Sequence, residues 1–152
     1  MNSGEKPMLN GGFNGALDEK GRFTFPSRLR EAFAAESLVV TRGVDQCLWA
    51  YAPLEWRLFA EKLENAPSMK QDVRLLQRHF LGWASALEFD KLGRVVLPQA
   101  LREWAALKRD CVIMGLGSRV EIWDADVYAA YSGGLGDPGK LLAAAESLSE
   151  LF

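Results

Sequence analysis

The chain contains one histidine, two cysteines and no long apolar run. His79 lies in an amphipathic helical stretch with no nucleophile or ligand partner in the sequence, so it reads as structural. Cys47 and Cys111 are not in a C-x-x-C arrangement, and each sits in an apolar stretch, "QCLWAY" and "CVIMG". They read as reduced, buried thiols, which fits a cytoplasmic protein better than a disulfide framework or a metal site. No apolar run approaches the ~20 residues that a membrane span needs, and "MNSGEKPMLNGG" lacks the apolar centre of a signal peptide. No nucleophile–base pair, metal cluster or complete cofactor fingerprint is present. The chain is therefore expected to be a non-enzyme without cofactor, metal, membrane or small-molecule substrate. "GLGDPGK", Gly134 to Lys140, does fit the G-x-x-x-x-G-K of a phosphate loop. Leu141 stands where a Ser or Thr would hold magnesium, and Asp137 would turn negative charge toward phosphate. The stretch reads as a loop with a helix cap.

A strong excess of charge of one sign is also lacking, since the net charge is −2. Its distribution is uneven. From Asp110 onward there are seven acidic residues and only two basic ones, Arg119 and Lys140. The preceding part carries a modest basic excess, which permits a local anion-binding face.

What the sequence does contain is a sentence written twice. "DEKGRFTFPSRLRE", Asp18 to Glu31, and "DKLGRVVLPQALRE", Asp90 to Glu103, align without gaps at an offset of 72 with seven identities. Chance would give roughly one, so the chain is an internal repeat. After each copy comes a β-branched run, a glycine-containing turn and a second strand-like run with an aligned tryptophan, Trp49 or Trp123. Each half thus reads as strand, tight loop, strand, short helix and hairpin. Alternation puts Arg22 and Thr24 on one face of the second strand, with Phe23 and Phe25 on the other. "RVVLP" is more uniformly apolar and is expected to be more buried. Pro26 and Pro98 end these strands and begin helices, and Gly21 and Gly93 stand where the loop needs positive φ.

Helical sequence separates the halves. Pro53 opens "PLEWRLFAEKLENA", in which Leu54, Leu58, Leu63, Trp56 and Phe59 form a broad apolar face. Ser68 and Gln71 form an S-x-x-Q capping box before a second helix. There Val73, Leu76, Phe80 and Trp83 form a core-facing stripe. Asp124 is expected to cap "ADVYAAY", "SGGLGDPG" to be a loop, and Asp137-Pro138 to start a last helix running to Phe152. The five tryptophans mostly occupy apolar periodic positions and read as core or subunit interface, not as base-stacking platforms. A repeat of about forty residues cannot bury its strands alone. Two copies can, packed about a pseudo-two-fold axis, each half forming the other's core.

The strongest functional signal is D-x-x-G-R-x-x-x-P, present twice. The aspartates, Asp18 and Asp90, can accept hydrogen bonds from backbone N–H groups of the turn. Gly21 and Gly93 permit the turn, and Arg22 and Arg94 leave it at the start of a strand. One copy alone would be an ordinary hairpin with a surface Asp–Arg pair. Two copies, with Lys20 and Lys91 in the loops and Arg28, Arg30 and Arg102 on the following helices, favour binding of phosphate or guanine.

"DKLGRVVLP" resembles the signature of AbrB/SpoVT-type swapped-hairpin DNA-binding domains, and its tandem use resembles the MraZ family of bacterial regulators. That family begins M-F-x-G, then five residues, then L-D-x-K-G-R. "MLNGGFNGALDEKGR", Met8 to Arg22, matches except for Leu9 in place of Phe. Met8 then corresponds to the usual start and residues 1–7 to a mobile extension. The likeness covers about Met8 to Tyr131. It implies a β-rich α+β fold of two interlocked swapped-hairpin half-repeats. The units are a first repeat at 8–52, a helical connector at 53–82, a second repeat at 83–124, and C-terminal helices with an acidic tail at 125–152. It also implies ring-shaped homo-oligomers in the cytoplasm, associated with the nucleoid. These would bind short tandem repeats in the promoter of their own division and cell-wall gene cluster. The family's key DNA contact lands on Arg22. Lys20 would lead with it, Lys91 and Arg94 would follow, and Arg28 would meet phosphate, while Arg94 could instead organise a subunit contact. The alternative is a non-catalytic protein-interaction module, antitoxin-like or a scaffold, that uses the same loops.

Overall fold

A computed structural model describes residues 8–33, 36–131 and 137–151. The tail read at residues 1–7 and most of the "SGGLGDPG" loop lie outside the described residues.

The first half runs β1 (Leu9–Ala16), β2 (Arg22–Thr24), α1 (Ser27–Phe33) and the hairpin β3 (Ser37–Arg42) with β4 (Leu48–Tyr51). Helices α2 (Pro53–Glu64) and α3 (Gln71–Leu76), continued by a π-helical turn at Gln77–Leu81, lead to the second half. There β5 (Ser85–Glu88), β6 (Arg94–Val96), α4 (Gln99–Trp104), β7 (Asp110–Gly117) and β8 (Val120–Asp124) repeat the same order. Helices α5 (Ala125–Tyr131) and α6 (Pro138–Ser147) follow, and a 3₁₀ turn at Ser149–Leu151 continues the last one.

The strands form one six-stranded antiparallel sheet, in the order β1-β7-β8-β4-β3-β5, and a separate ribbon of β2 and β6. The order shows how the halves interlock. Strand β1 pairs with β7 of the second half, placing Phe13 opposite Ile113. Strand β5 pairs with β3 of the first, placing Leu38 opposite Leu87. Each half therefore lends its first strand to the other half's hairpin. At the central seam Trp49 faces Glu121, its counterpart at the same offset of 72, flanked by the related pairs Leu48–Ile122 and Ala50–Val120, so equivalent positions meet on the pseudo-two-fold axis. In the ribbon Phe23 faces Val95, flanked by the related pairs Arg22–Val96 and Thr24–Arg94.

The core is drawn from both halves. Phe23, Phe25, Leu29 and Phe33 of the first are buried, as are their counterparts Val95, Leu97, Leu101 and Ala105 of the second. The first half supplies three phenylalanines where the second supplies smaller side chains, so bulk on one side meets room on the other. Phe25 meets Phe23, Phe33 and Phe89 edge to face, with ring centroids 5.4, 5.6 and 5.5 Å apart. Buried Thr41 is satisfied by donating to the carbonyl of Phe80 at 2.6 Å.

Several sequence expectations are corrected. Ser68 and Gln71 form no capping box: Lys70 precedes the first turn of α3 without a side-chain cap bond. The carbonyls of Ser68 and Met69 instead accept from Arg74 Nη1. The stripe Val73, Leu76, Phe80, Trp83 is not a continuous core face, because only Phe80 is buried and Leu76 and Trp83 are each 42% exposed. The π-turn adds a residue to the local turn and rotates the face away from 3.6-residue spacing. On α2, Leu54 and Leu58 are exposed while Trp56, Phe59 and Leu63 are half-buried. "RVVLP" is no more buried than its counterpart, since Val96 faces solvent between buried Val95 and Leu97. Pro26 and Pro98 stand one position before their helices, and their carbonyls accept from Arg30 N and Arg102 N. Asp124 does cap α5, its Oδ2 accepting from the N–H groups of Asp126 and Val127 at 3.1 and 3.2 Å. Asp137 caps α6 through Gly139 N, although that helix ends at Ser147. His79 donates from Nε2 to the carbonyl of Gly43 at 2.7 Å and packs against Phe80 and Trp104, a structural role.

Phe23 sits at the centre of the ribbon's inner face, so Phe23→Ala should lower unfolding free energy by roughly 3–5 kcal/mol in urea denaturation. Both cysteines are free and buried. Burial pushes the Cys47 thiol far above its ordinary range and that of Cys111 up to about 11. A thiol reagent at mildly alkaline pH should label neither in the native protein and both after unfolding. Native labelling would show that the turn before β4 or strand β7 opens.

Candidate nucleic-acid interface

Each repeated turn is built around one carboxylate. Asp18 Oδ1 accepts from the backbone N–H of Lys20 and Arg22 at 2.9 and 2.8 Å, and its Oδ2 accepts from Arg22 Nε at 2.6 Å. Asp90 does the same for Leu92, Arg94 and Arg94 Nε at 2.8, 2.9 and 2.8 Å. The main chain closes each turn a second time. Asp18 N donates to the Arg22 carbonyl and Gly21 N to the Asp18 carbonyl, with the same pair of bonds at Asp90 and Gly93. Gly21 and Gly93 have φ of +77° and +75°, where a Cβ would be strained.

The turns are held from the opposite half. Gly21 O accepts from Leu97 N at 2.9 Å and Gly93 O from Phe25 N at 3.1 Å. The arginine behind each turn also crosses over. A Cβ built on Gly21 would stand 3.1 Å from Arg102 Cζ, and one on Gly93 would strike the Arg30 guanidinium. Arg102 is anchored by Nε donating to the Leu97 carbonyl at 2.9 Å. Sequence proximity would associate Arg30 with the first turn and Arg102 with the second. The swapped strands reverse that assignment.

Because alternate residues of a strand face opposite ways, burial of Phe23 and Val95 leaves Arg22, Thr24, Arg94 and Val96 on one outer face of the ribbon. The antiparallel pairing sets the two turns at opposite ends of that face, each with an exposed lysine, Lys20 or Lys91. Both arginines spend Nε on their aspartate. Among the described residues no acceptor reaches their terminal Nη atoms, so each guanidinium presents a two-donor edge outward. Arg28 is exposed on α1 and makes no hydrogen bond or ion pair among the described residues.

Alternation already sets Thr24 beside Arg22, but Val96 was not legible as part of this face; the cross-strand register places it there. Two other arginines work in the body of the protein. Arg42 lies 3.9 Å over the Trp83 ring and 4.9 Å over Trp104, and Arg119 lies 4.1 Å over Trp49. Their Nε atoms are buried without a hydrogen-bond partner, so the indole faces carry the compensation. Among the described residues, no group of three or more His, Cys, Asp or Glu is placed to hold a metal, and no helix is long and apolar enough to cross a membrane.

The turn carboxyls are held below the ordinary value of 3.8, first by the backbone N–H of Arg22 or Arg94 and further by the guanidinium, against some desolvation. A pKa lowered by folding means that this hold is complete above the ordinary value. It is lost as pH falls through the lowered one, so at neutral pH the turns are fully organised. Carboxyl NMR titration should find Asp18 and Asp90 below 3.8. In Arg22→Ala, Asp18 should rise only part of the way, because residue 22 keeps its backbone N–H. A complete return would make the guanidinium the dominant partner.

A family model described as "MraZ protein, putative antitoxin-like" matches residues 8–79 and again 80–136. The transcriptional regulator MraZ of Heliobacterium modesticaldum is 44% identical over 125 residues, covering 82% of this chain and 87% of that protein. Those of Acetivibrio thermocellus and Treponema denticola are 41% and 40% identical, covering 83% and 81% of this chain and 87% and 86% of theirs. A two-part family match over most of the chain, with relatives at this identity, shows that the chain belongs to the MraZ family.

Proposed function

We propose that the protein is a non-enzymatic transcription regulator that binds DNA through the outer face of the β2–β6 ribbon. The observation that carries this reading is the pair of arginines, Arg22 and Arg94, each fixed by an aspartate with its terminal nitrogens free. A two-stranded ribbon fits the major groove, and a guanidinium edge matches O6 and N7 of guanine. Lys20, Lys91 and exposed Arg28 supply phosphate contacts that set position but carry no sequence information. Asp18, Gly21, Asp90 and Gly93 shape the turns. The relatives' shared name as transcriptional regulators supports the same reading.

The finer reading is a cytoplasmic, nucleoid-associated homo-oligomer, ring-like, on short tandem repeats in the promoter of its own division and cell-wall gene cluster. Leu54, Leu58, Leu75, Leu76 and Trp83 stay exposed on and beside the connecting helices, apolar side chains that copies of the chain would bury against each other. Several ribbons engaging spaced repeats at once raise effective concentration, so individually weak contacts suffice. A second reading, a protein-interaction module, draws on the family description as antitoxin-like and on exposed Leu92 in the second turn. Salt separates the two, since phosphate neutralisation weakens steeply with salt while an apolar interface need not.

The test is fluorescence anisotropy with labelled DNA from upstream of the protein's own gene, against scrambled DNA, across a salt series. Wild type should bind the upstream DNA selectively and with strong salt dependence. Arg22→Ala should keep its fold and oligomer size and lose at least about tenfold in selective affinity, the scale of one guanidinium–guanine contact. A monomeric or unfolded Arg22→Ala would make the arginine structural. Absence of selectivity at every salt concentration would favour the protein-interaction module.

A further inference from the structure

The two ends of the ribbon share a backbone but not a chemistry. Position for position, Lys20 in the first turn is Leu92 in the second, and Thr24 on β2 is Val96 on β6. The geometry beneath is the same. Asp18 Oδ1 holds Lys20 N at 2.9 Å, Asp90 Oδ1 holds Leu92 N at 2.8 Å, and the glycines have φ of +77° and +75°. The segment around β2 thus brings polar side chains to the face and the segment around β6 apolar ones, with Leu92 67% and Val96 58% exposed at opposite ends of the ribbon.

Val96 stands directly opposite Arg22 and two residues along β6 from Arg94. Cross-strand neighbours lie ~5 Å apart and next-but-one residues on a strand ~7 Å apart. Any base that Val96 touches is therefore within about two base-pair steps of those met by the arginines, at ~3.4 Å per step. In the major groove one base edge carries an apolar group, the C5 methyl of thymine.

Resting on the DNA-binding reading above, we propose that Val96 reads a thymine methyl beside the guanines engaged by Arg22 and Arg94. Two equivalent arginines alone would accept a site and its reverse complement equally. Placing Val96 opposite in role to Thr24 removes that degeneracy, so each protomer reads its site in one direction.

The full chain is titrated against a labelled upstream duplex that it binds selectively, and against duplexes in which each thymine in turn is replaced by deoxyuridine. That replacement removes the C5 methyl and nothing else. At one or two positions it should weaken wild type by about fourfold, the worth of one buried methyl. The same replacements should leave Val96→Ala unaffected, because that variant binds the parent duplex already weakened. Val96→Thr, which keeps the β-branched shape and copies Thr24, should show reduced sensitivity and reports if the alanine variant misfolds. Should no replacement affect wild type, or should both variants keep its full sensitivity, the proposal is overturned. Loss of selective binding in Arg22→Ala would then leave the DNA-binding reading standing. If wild type selects no duplex at any salt concentration, the DNA-binding reading falls and takes this one with it.

Discussion

The first strand of each half finds its hydrogen-bond partners on the hairpin of the other half. From that exchange the rest of the structure follows. Strands β1 and β5 are fixed at opposite edges of the large sheet, on β7 and β3. The chain must then turn back from each edge, and the two returning segments meet as β2 and β6. A ribbon of three residues per strand is too short to be stable alone. It persists because Phe23 and Val95 enter a core built by both halves, and because Gly21 and Gly93 each accept a main-chain bond from the opposite segment. The exposed face that carries the arginines is therefore a product of the interlock and belongs to neither repeat.

The aspartate in each turn matters for direction more than for strength. Asp18 and Asp90 are exposed, and an exposed ion pair gives little stability once solvent screening and side-chain ordering are counted. What each carboxylate does is gather two backbone N–H groups and one guanidinium Nε around itself. The turn and the arginine are thereby fixed by a single group. An arginine left free would have to lose most of its rotamer freedom on meeting a ligand. One already held by Nε loses less, and its remaining donors point where the strand aims them. Arg30 and Arg102 add charge behind the turns without competing for the aspartates.

Much of this was legible in the sequence, because the relevant signals were local and doubled. The turn motif, the glycine conformations, the order of strands and helices, and the cap at Asp124 all rest on residues within a few positions of one another. Reading failed where distant chain segments decide. The Ser68–Gln71 box looked complete, yet the Ser68 carbonyl binds Arg74 and the helix starts without a side-chain cap. The stripe through Val73 and Trp83 assumed a regular α-helix. The π-turn instead brings His79 to Gly43 and the Phe80 carbonyl to Thr41, contacts set by β3 and the turn that follows it. The run "RVVLP" looked buried throughout because Val96 is apolar, and only the register of the ribbon shows it facing out. The crossing of Arg30 and Arg102 had no local signal, since it depends on which half each turn packs against.

The two copies have diverged differently inside and outside, and packing explains the contrast. Inside, Phe33 has Ala105 as its counterpart, Phe25 has Leu97 and Phe23 has Val95. Because both members of each pair enter one core, a gain of volume at one is tolerable where the other is small. Divergence there is coupled and leaves the fold symmetric. On the outer face no such coupling operates, as Thr24 and Val96 never share a buried space and the turn beneath Leu92 is held by backbone bonds indifferent to its side chain. Those positions were free to become polar on one strand and apolar on the other without cost to the interlock. A duplicated chain can in this way keep a two-fold scaffold while acquiring a contact surface with a direction.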